Sequence, residues 1–280
     1  MKVYPFKIPK PYNDSIIYQV DHELIFYDKY HQHEEIQISY IEEGTGTLVV
    51  GDTINDYSKG DILVIGSFLP HVFKSEKMTG QKSKMLSLFF TKESFGSDFF
   101  DLEELGSVAT FFKRSENGFK VQSNKAKMTD LFNSLNEATK FDRFIILMQL
   151  LKLLSRSKSS KLSTFIYEKQ YSDLEGKRMR DIMEYTINNY QSPISLEDIS
   201  EVATMTKNAF CKYFKKRTNK TYFKFLNELR IEQACKLLMQ EHEVTVAQIA
   251  EQCGFNNISN FNRQFKAIKG IQPTQFKAIR

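Results

Sequence analysis

Two hydrophobic rhythms divide the chain. Residues 35–73 alternate apolar and polar positions through IQISYIEEGTGTLVVGDTINDYSKGDILVIGSFLPHVF, broken at EGTG, GD, SKGD and GSFLP. Short strands at regular spacing with glycine turns predict a sandwich or small barrel. Residues 92–156 change to a helical rhythm. Within them TKFDRFIILMQLLKLLSR, 139–156, carries Phe144, Leu147, Leu151 and Leu154 near a 3.5-residue spacing, which predicts an amphipathic helix with one apolar face. A polar Ser/Lys stretch follows and predicts a linker over 157–177.

The last hundred residues contain a duplicated pattern. ISLEDISEVATMTKNAFCKYFKKRTNKTYFKFL (194–226) aligns with VTVAQIAEQCGFNNISNFNRQFKAIKGIQPTQFK (244–277). Ser195, Ile199 and Glu201 match Thr245, Ile249 and Glu251 at an offset of 50; Phe210, Lys212, Phe214 and Lys215 match Phe261, Arg263, Phe265 and Lys266 at 51. Each copy opens with a residue able to cap a helix, Ser195 or Thr245, and three positions later one able to reach back, Asp198 or Gln248. A short helix ending near Ala203 or Cys253, a tight turn at TMT or at Gly254, and a second amphipathic helix with a Phe stripe complete a helix-turn-helix in each copy. Between the copies, TYFKFLNELRIEQACKLLMQ (221–240) lacks Gly and Pro and predicts one continuous helix of roughly 30 Å.

Charge sharpens this picture. The net charge is +5 over 280 residues, yet residues 174–280 hold 17 Lys+Arg against 11 Asp+Glu, leaving 22 against 23 for the remainder. The predicted second helices are basic: residues 206–224 carry seven Lys/Arg and no acid, and residues 252–280 carry five and no acid. The first helices are acidic, through Glu197, Asp198 and Glu201, and Glu251. Such a surface suits a polyanion lying against the second helices. Opposite the Phe261, Phe265 and Ile268 stripe lie Ser259, Asn262 and Arg263, and their counterparts Asn208, Cys211 and Lys212. Asn can bond adenine edges, and Arg or Lys can reach guanine, so these six are the expected base readers. Thr206, Lys207, Lys215, Lys216, Asn257 and Lys266 are the expected phosphate contacts, which position without choosing sequence. A helix of roughly 30 Å between the copies approaches the roughly 34 Å separating successive major grooves on one face of B-DNA.

The three cysteines, Cys211, Cys235 and Cys253, have neither metal-ligand nor redox spacing, and MKVYPFKIPKPYNDS lacks an apolar leader; a reducing, cytoplasmic setting is expected. The longest apolar run, FIILMQLLKLL at 144–154, falls short of the roughly 20 residues that span a bilayer.

Residues 178–280 resemble the double helix-turn-helix domain of AraC/XylS-type transcription regulators, and AEQCGFNNISNFNRQFKAIKGIQPTQFK (250–277) is similar to its signature. The resemblance implies a seven-helix domain that reads two major grooves from one side of the duplex. Asn219 stands where the family usually has Gly, and Lys212 where Arg is common. The strand-rich part resembles the cupin-type sensor that commonly precedes this domain: His31, His33, Gln37 and Gly44 fall on the first cupin motif, with Gln37 where Glu is usual, and Gly60, Pro70 and His71 on part of the second. The resemblance implies dimerisation through helices near 126–156; the alternative is that this helix packs only on its own barrel. Two imidazoles two residues apart on a strand face one side, as metal ligands would. The readings of His31, His33, Gln37 and His71 are therefore an effector pocket or a metal site, with no other cofactor expected.

The expected fold class is α+β in two domains: a cupin-like β-barrel with appended helices at 1–156 and an all-α double helix-turn-helix at 178–280. The expected function is a sequence-specific, non-enzymatic transcription regulator whose partners are double-stranded DNA, a small-molecule effector and a second copy of the chain. A cupin metalloenzyme with a DNA-localising domain and a nonspecific DNA-coating protein are the rival readings.

Overall fold

Ile36–Glu43 (β2) is buried on both faces, with Ile36, Ile38 and Tyr40 on one side and Gln37, Ser39 and Ile41 on the other, and this double burial organises the N-terminal unit. A computed structural model describes residues 14–76, 82–166, 172–240 and 243–278. Residues 1–13, which hold most of the N-terminal stretch without an apolar run, and 167–171, inside the expected linker, lie outside the described residues. The chain divides into two compact units, Met1–Gly176 and Lys177–Arg280.

In the first unit, β1 (Ile17–Glu23), β2, β3 (Gly46–Val50), β4 (Thr53–Tyr57), β5 (Ile62–Ile65), β6 (His71–Ser75) and β7 (Ser83–Phe90) are followed by α1 (Ala109–Ser115), β8 (Phe119–Val121), α2 (Lys125–Asn133), α3 (Lys140–Arg156) and β9 (Ser159–Lys161). They form a six-stranded antiparallel sheet in the order β1-β7-β2-β5-β8-β9 and a three-stranded sheet β4-β3-β6. Ile36, Ile38 and Tyr40 pack with Leu147, Leu150, Leu151 and Leu154 in a layer between the larger sheet and the helices. Ile41, Leu63 and Ile65 pack with Leu48, Val50 and Phe73 in the layer between the sheets. Each such side chain removed from water contributes about 1.5–3 kcal/mol.

Two differences from the sequence expectation follow from tertiary pairing. Phe119–Val121, inside the stretch read as helical, is a strand, because Phe119 and Val121 alternate with Lys120 and the segment finds β5 as a partner. Ser159–Lys161, read as linker, pairs with β8, and Leu162 is buried between the sheets. Asp52 then accepts from Ser163 Oγ and Thr164 N at 2.8 and 2.9 Å, so polar composition here serves a specific buried anchor. Of the two readings of α3, packing on its own unit is seen for Leu147, Leu151 and Leu154, which are fully buried there, while Phe141 and Ile145 stay exposed. A capping box between Thr139 and Asp142 starts this helix.

The second unit contains, among the described residues, seven helices: α4 (Asp173–Asn189), α5 (Leu196–Val202), α6 (Lys207–Thr218), α7 (Tyr222–Gln240), α8 (Val246–Gln252), α9 (Ile258–Lys269) and α10 (Pro273–Ala278). Both expected capping boxes are formed. Asp198 N donates to Ser195 Oγ at 3.1 Å and Ser195 N to Asp198 Oδ2 at 2.8 Å; Gln248 N donates to Thr245 Oγ1 at 3.3 Å and Thr245 N to Gln248 Oε1 at 2.9 Å. Helix α7 buries residues along its whole length, from Tyr222 to Leu238, because both repeats pack on it. Tyr222 and Phe225 meet Phe210 and Phe214 of the first repeat, while Ile231, Ala234, Cys235 and Leu238 join Ile249, Phe261 and Phe265 of the second. Burial pushes the Tyr222 phenol up to about 12, and its hydroxyl pairs with Thr186 Oγ1 at 3.0 Å.

Candidate functional site

Helices α6 and α9 bury equivalent faces and expose equivalent faces. Phe210 and Phe214 in one, Phe261 and Phe265 in the other, are sealed in the core. A 100° step per residue then places Asn208, Cys211, Lys212 and Lys215 outward on α6, and Ser259, Asn262, Arg263 and Lys266 at the same angles on α9. All are exposed except Asn262, which is half-buried at the edge of its strip. Lys216 is exposed as well. The expected base readers thus form two matched outward strips.

The expected phosphate contacts divide. Thr206 and Asn257 are the N-caps of α6 and α9: Thr206 Oγ1 accepts from Ala209 N at 3.4 Å, and Asn257 Oδ1 from Ser259 N and Asn260 N at 2.8 and 3.2 Å. Their acceptor oxygens are therefore engaged within the helix ends. Lys207 forms an ion pair with Glu197 of α5, across a shallow groove that Glu201 also lines. Glu251, the second repeat's counterpart of Glu201, is likewise exposed, but position 247, the counterpart of Glu197, is Ala247.

Two residues outside the sequence reading join the second strip. Asn260 Oδ1 accepts from Arg263 Nη2 at 2.9 Å and so orients the guanidinium. Ile258, 41% exposed at the first turn of α9, presents an apolar surface of the kind that meets a thymine methyl. The i, i+3 spacing of Asn260 and Arg263 was the available signal for the first; an apolar residue next to an N-cap carries none.

The turns that aim these helices rest on left-handed backbone. Thr204 and Gly254 occupy equivalent turn positions with φ of 52° and 81°, and Asn219 and Gly270 close α6 and α9 with φ of 54° and 79°. Asn is the residue other than Gly that adopts this region at least strain, which accounts for Asn219 in place of the family's usual Gly. Asn219→Ala is expected to lower stability by about 1 kcal/mol, and Asn219→Gly to leave it unchanged or higher, as measured by denaturant midpoints.

In the first unit His31, His33 and His71 come together, fully buried, with one ligand atom from each lying within 4.8 Å of the others. His31 and His71 form a reciprocal antiparallel bridge, His31 N donating to His71 O at 3.0 Å and His71 N to His31 O at 2.8 Å. All three rings turn Nδ1 toward a backbone carbonyl: Lys29 O at 2.7 Å, Glu35 O at 2.8 Å and Leu69 O at 2.9 Å. His33 Nε2 faces Gln37 Oε1 at 3.2 Å, and Gln37 Nε2 donates to Ser39 Oγ, which pairs with Ser87 Oγ, each at 2.8 Å. Nε2 of His71 is buried with no hydrogen-bond partner. Burial, reinforced by the neighbouring His31 and His33, holds His71 well below the ordinary imidazole value; burial also lowers His33, against the opposing pull of Glu35.

A duplicated helix-turn-helix with exposed basic strips, alongside a cupin-like sandwich, defines a DNA-binding regulator with a separate ligand-binding unit. Residues 199–279 match the family described as a helix-turn-helix domain, and residues 14–88 the family described as an AraC-like ligand binding domain. The chain belongs to the AraC/XylS family of transcription regulators. It is 23% identical over 255 residues to the uncharacterized HTH-type transcriptional regulator YdeC of Bacillus subtilis, covering 89% of this chain and 86% of that protein. Similarity to the HTH-type transcriptional activator RhaS of Pectobacterium carotovorum is 22% over 245 residues, covering 84% of this chain and 82% of that one. An uncharacterized HTH-type regulator from Pseudoalteromonas carrageenovora is 34% identical over 99 residues, 35% of this chain, which spans 58% of that protein. These relatives are named as regulators, against the metalloenzyme reading. Among the described residues, no helix is long and apolar enough to cross a membrane.

Proposed function

We propose that this chain is a non-catalytic, sequence-specific regulator that inserts α6 and α9 into two successive major grooves, with α9 the stronger reader. One observation carries it: two outward polar strips matching residue for residue, set on either side of a 19-residue α7. That helix is about 28 Å long, close to the roughly 34 Å between successive grooves. The second repeat dominates because it pairs Arg263 with an orienting Asn260, whereas the first has Lys212 and an acid-tied Lys207.

Base reading falls to Asn208, Cys211, Lys212, Ser259, Asn262 and Arg263, and phosphate contact to Lys215, Lys216 and Lys266. The N-terminal unit binds a small effector and pairs two chains. Pairing uses the exposed Phe141 and Ile145 edge of α3, one helical turn apart, since the rest of its apolar stripe is spent on its own sheet. For the effector to act, it must bind one arrangement of the chain more tightly than another.

Selection of bound duplexes from a random pool by the full chain tests this. The expected product is a site with two elements whose centres lie about 10 base pairs apart, the element read by α9 being the more sharply defined. Enrichment of no sequence at all would instead favour a nonspecific coating protein.

A further inference from the structure

We infer that His31, His33 and His71 bind one divalent transition-metal ion, with Gln37 as a neutral oxygen donor beside them, and that this ion is the signal the barrel senses. The inference rests on the ligand-responsive reading above and narrows it to a chemical class.

The ring orientations are those a metal site requires. A histidine that ligates through one nitrogen donates the other N–H to a carbonyl or carboxylate, which fixes tautomer and ring angle. Here every Nδ1 lies within 2.9 Å of a backbone carbonyl, so each Nε2 carries its lone pair. Glu35 stands behind His33, its carboxylate 3.8 Å from Nδ1, and supplies negative charge to a buried cation.

Two of these lone pairs lack what they need. Nε2 of His71 is buried and unpartnered, which is unfavourable for a polar atom kept from water. Nε2 of His33 faces another acceptor, Gln37 Oε1, at 3.2 Å; two lone pairs so placed repel unless a positive centre joins them. Rotating the Gln37 amide would satisfy His33, because the Ser39 hydroxyl can donate as well as accept, but it would leave His71 as it is. One cation resolves both.

The donor set selects the class of ion. Nitrogens bound at about 2.1 Å in a tetrahedral arrangement lie about 3.4 Å apart, so a cluster within 4.8 Å closes by up to about 1.4 Å around an ion. Three imidazoles favour zinc, cobalt, nickel or ferrous iron over magnesium or calcium, which prefer oxygen. Gln37 sets the strength. An amide in the place of a carboxylate leaves the ligand set uncharged, so the ion is held less tightly and exchanges, as a sensed ion must. The Gln37–Ser39–Ser87 chain fixes that amide from behind.

The test uses the full chain, stripped with a chelator and titrated with Co²⁺ and then Zn²⁺. Expected are one Co²⁺ per chain with the visible bands of nitrogen-bound cobalt, their loss on adding Zn²⁺, and a raised melting temperature with either ion. His71→Ala should weaken binding about tenfold or more, and Gln37→Glu should tighten it by a similar factor. Absence of the cobalt bands in the unsubstituted chain, which depends on no variant folding, overturns the site, as does undiminished binding by a folded His71→Ala chain. Affinity for the selected duplex should change at least about threefold on adding Zn²⁺, since only differential binding to two states shifts an equilibrium; no change overturns the sensing role. If the chain proves to have no duplex preference, the regulator reading fails, while the cobalt titration still decides the metal site.

Discussion

Gly254→Ala is expected to destabilise the DNA-binding unit by about 3 kcal/mol or more, through backbone strain and a backbone clash together. Its φ is +81°, where a Cβ is strained, and an added Cβ would lie 2.5 Å from Tyr190 O, 2.9 Å from Gln191 O and 3.0 Å from Arg230 Nε. These neighbours cannot yield cheaply. Arg230 is itself buried, donating from Nε to Tyr190 O at 2.7 Å and from Nη2 to Ser192 O at 2.8 Å, with its guanidinium over the Phe255 ring. The segment joining α4 to α5, the middle of α7 and the turn of the second repeat therefore meet at one point. Moving that turn re-aims α9, so duplex affinity should fall with stability. Denaturant unfolding of the full chain and binding to the selected duplex would measure both. The contrasting substitution is Thr204→Gly at the equivalent turn, where relief of the +52° φ should leave stability unchanged or raise it. A loss below about 1 kcal/mol for Gly254→Ala would mean that the turn relaxes freely and does not hold the repeats in register.

Arg263→Ala is expected to weaken binding to the selected duplex by about 1–3 kcal/mol, roughly 5- to 150-fold, with little effect on random DNA. The guanidinium is exposed, it lies on the outward strip of α9, and Asn260 restricts its orientation. A preorganised fork loses less freedom when it meets a guanine edge. Lys266→Ala offers the comparison: it should weaken all duplexes alike and reduce the salt dependence by about one counterion. Equal losses on specific and random DNA for Arg263→Ala would reduce Arg263 to a phosphate contact and shift the reading role to Asn262 and Ser259. Asn260→Ala should lose part of the Arg263 effect while keeping the charge.

Much of the DNA-binding half was legible in the linear chain because its determinants are local. Capping boxes at Ser195 and Thr245 act within three residues, a Phe stripe repeats every four, and left-handed turn residues are read one at a time; duplication then displayed each signal twice. The same locality placed Asn208, Lys212, Ser259 and Arg263 outward, since a helix with one buried face has only one face left. Thr206 and Asn257 were also visible; as N-caps their side-chain oxygens accept from backbone N–H groups, which leaves the Thr206 hydroxyl and the Asn257 amide N–H as the donors that a phosphate contact needs.

What pairing and packing decide was not in the linear pattern. Ser159–Lys161 became a strand only because the edge of β8 was available, and the stripe on α3 was spent on its own sheet because that surface was nearest. Neither outcome has a local cost that the sequence displays. The Lys207–Glu197 pair and the meeting of Arg230 with the Gly254 turn join residues ten or more positions apart, which only a packed chain brings together. The spacing of His31 and His33 suggested two rings on one side of a strand, but both residues precede β2, and it is the reciprocal bridge of His31 to His71, forty residues on, that creates the buried cluster. Sequence determined which chemistry each segment could offer. Tertiary structure decided which offers met, because burial penalises every polar atom left alone and the available partners lie far along the chain.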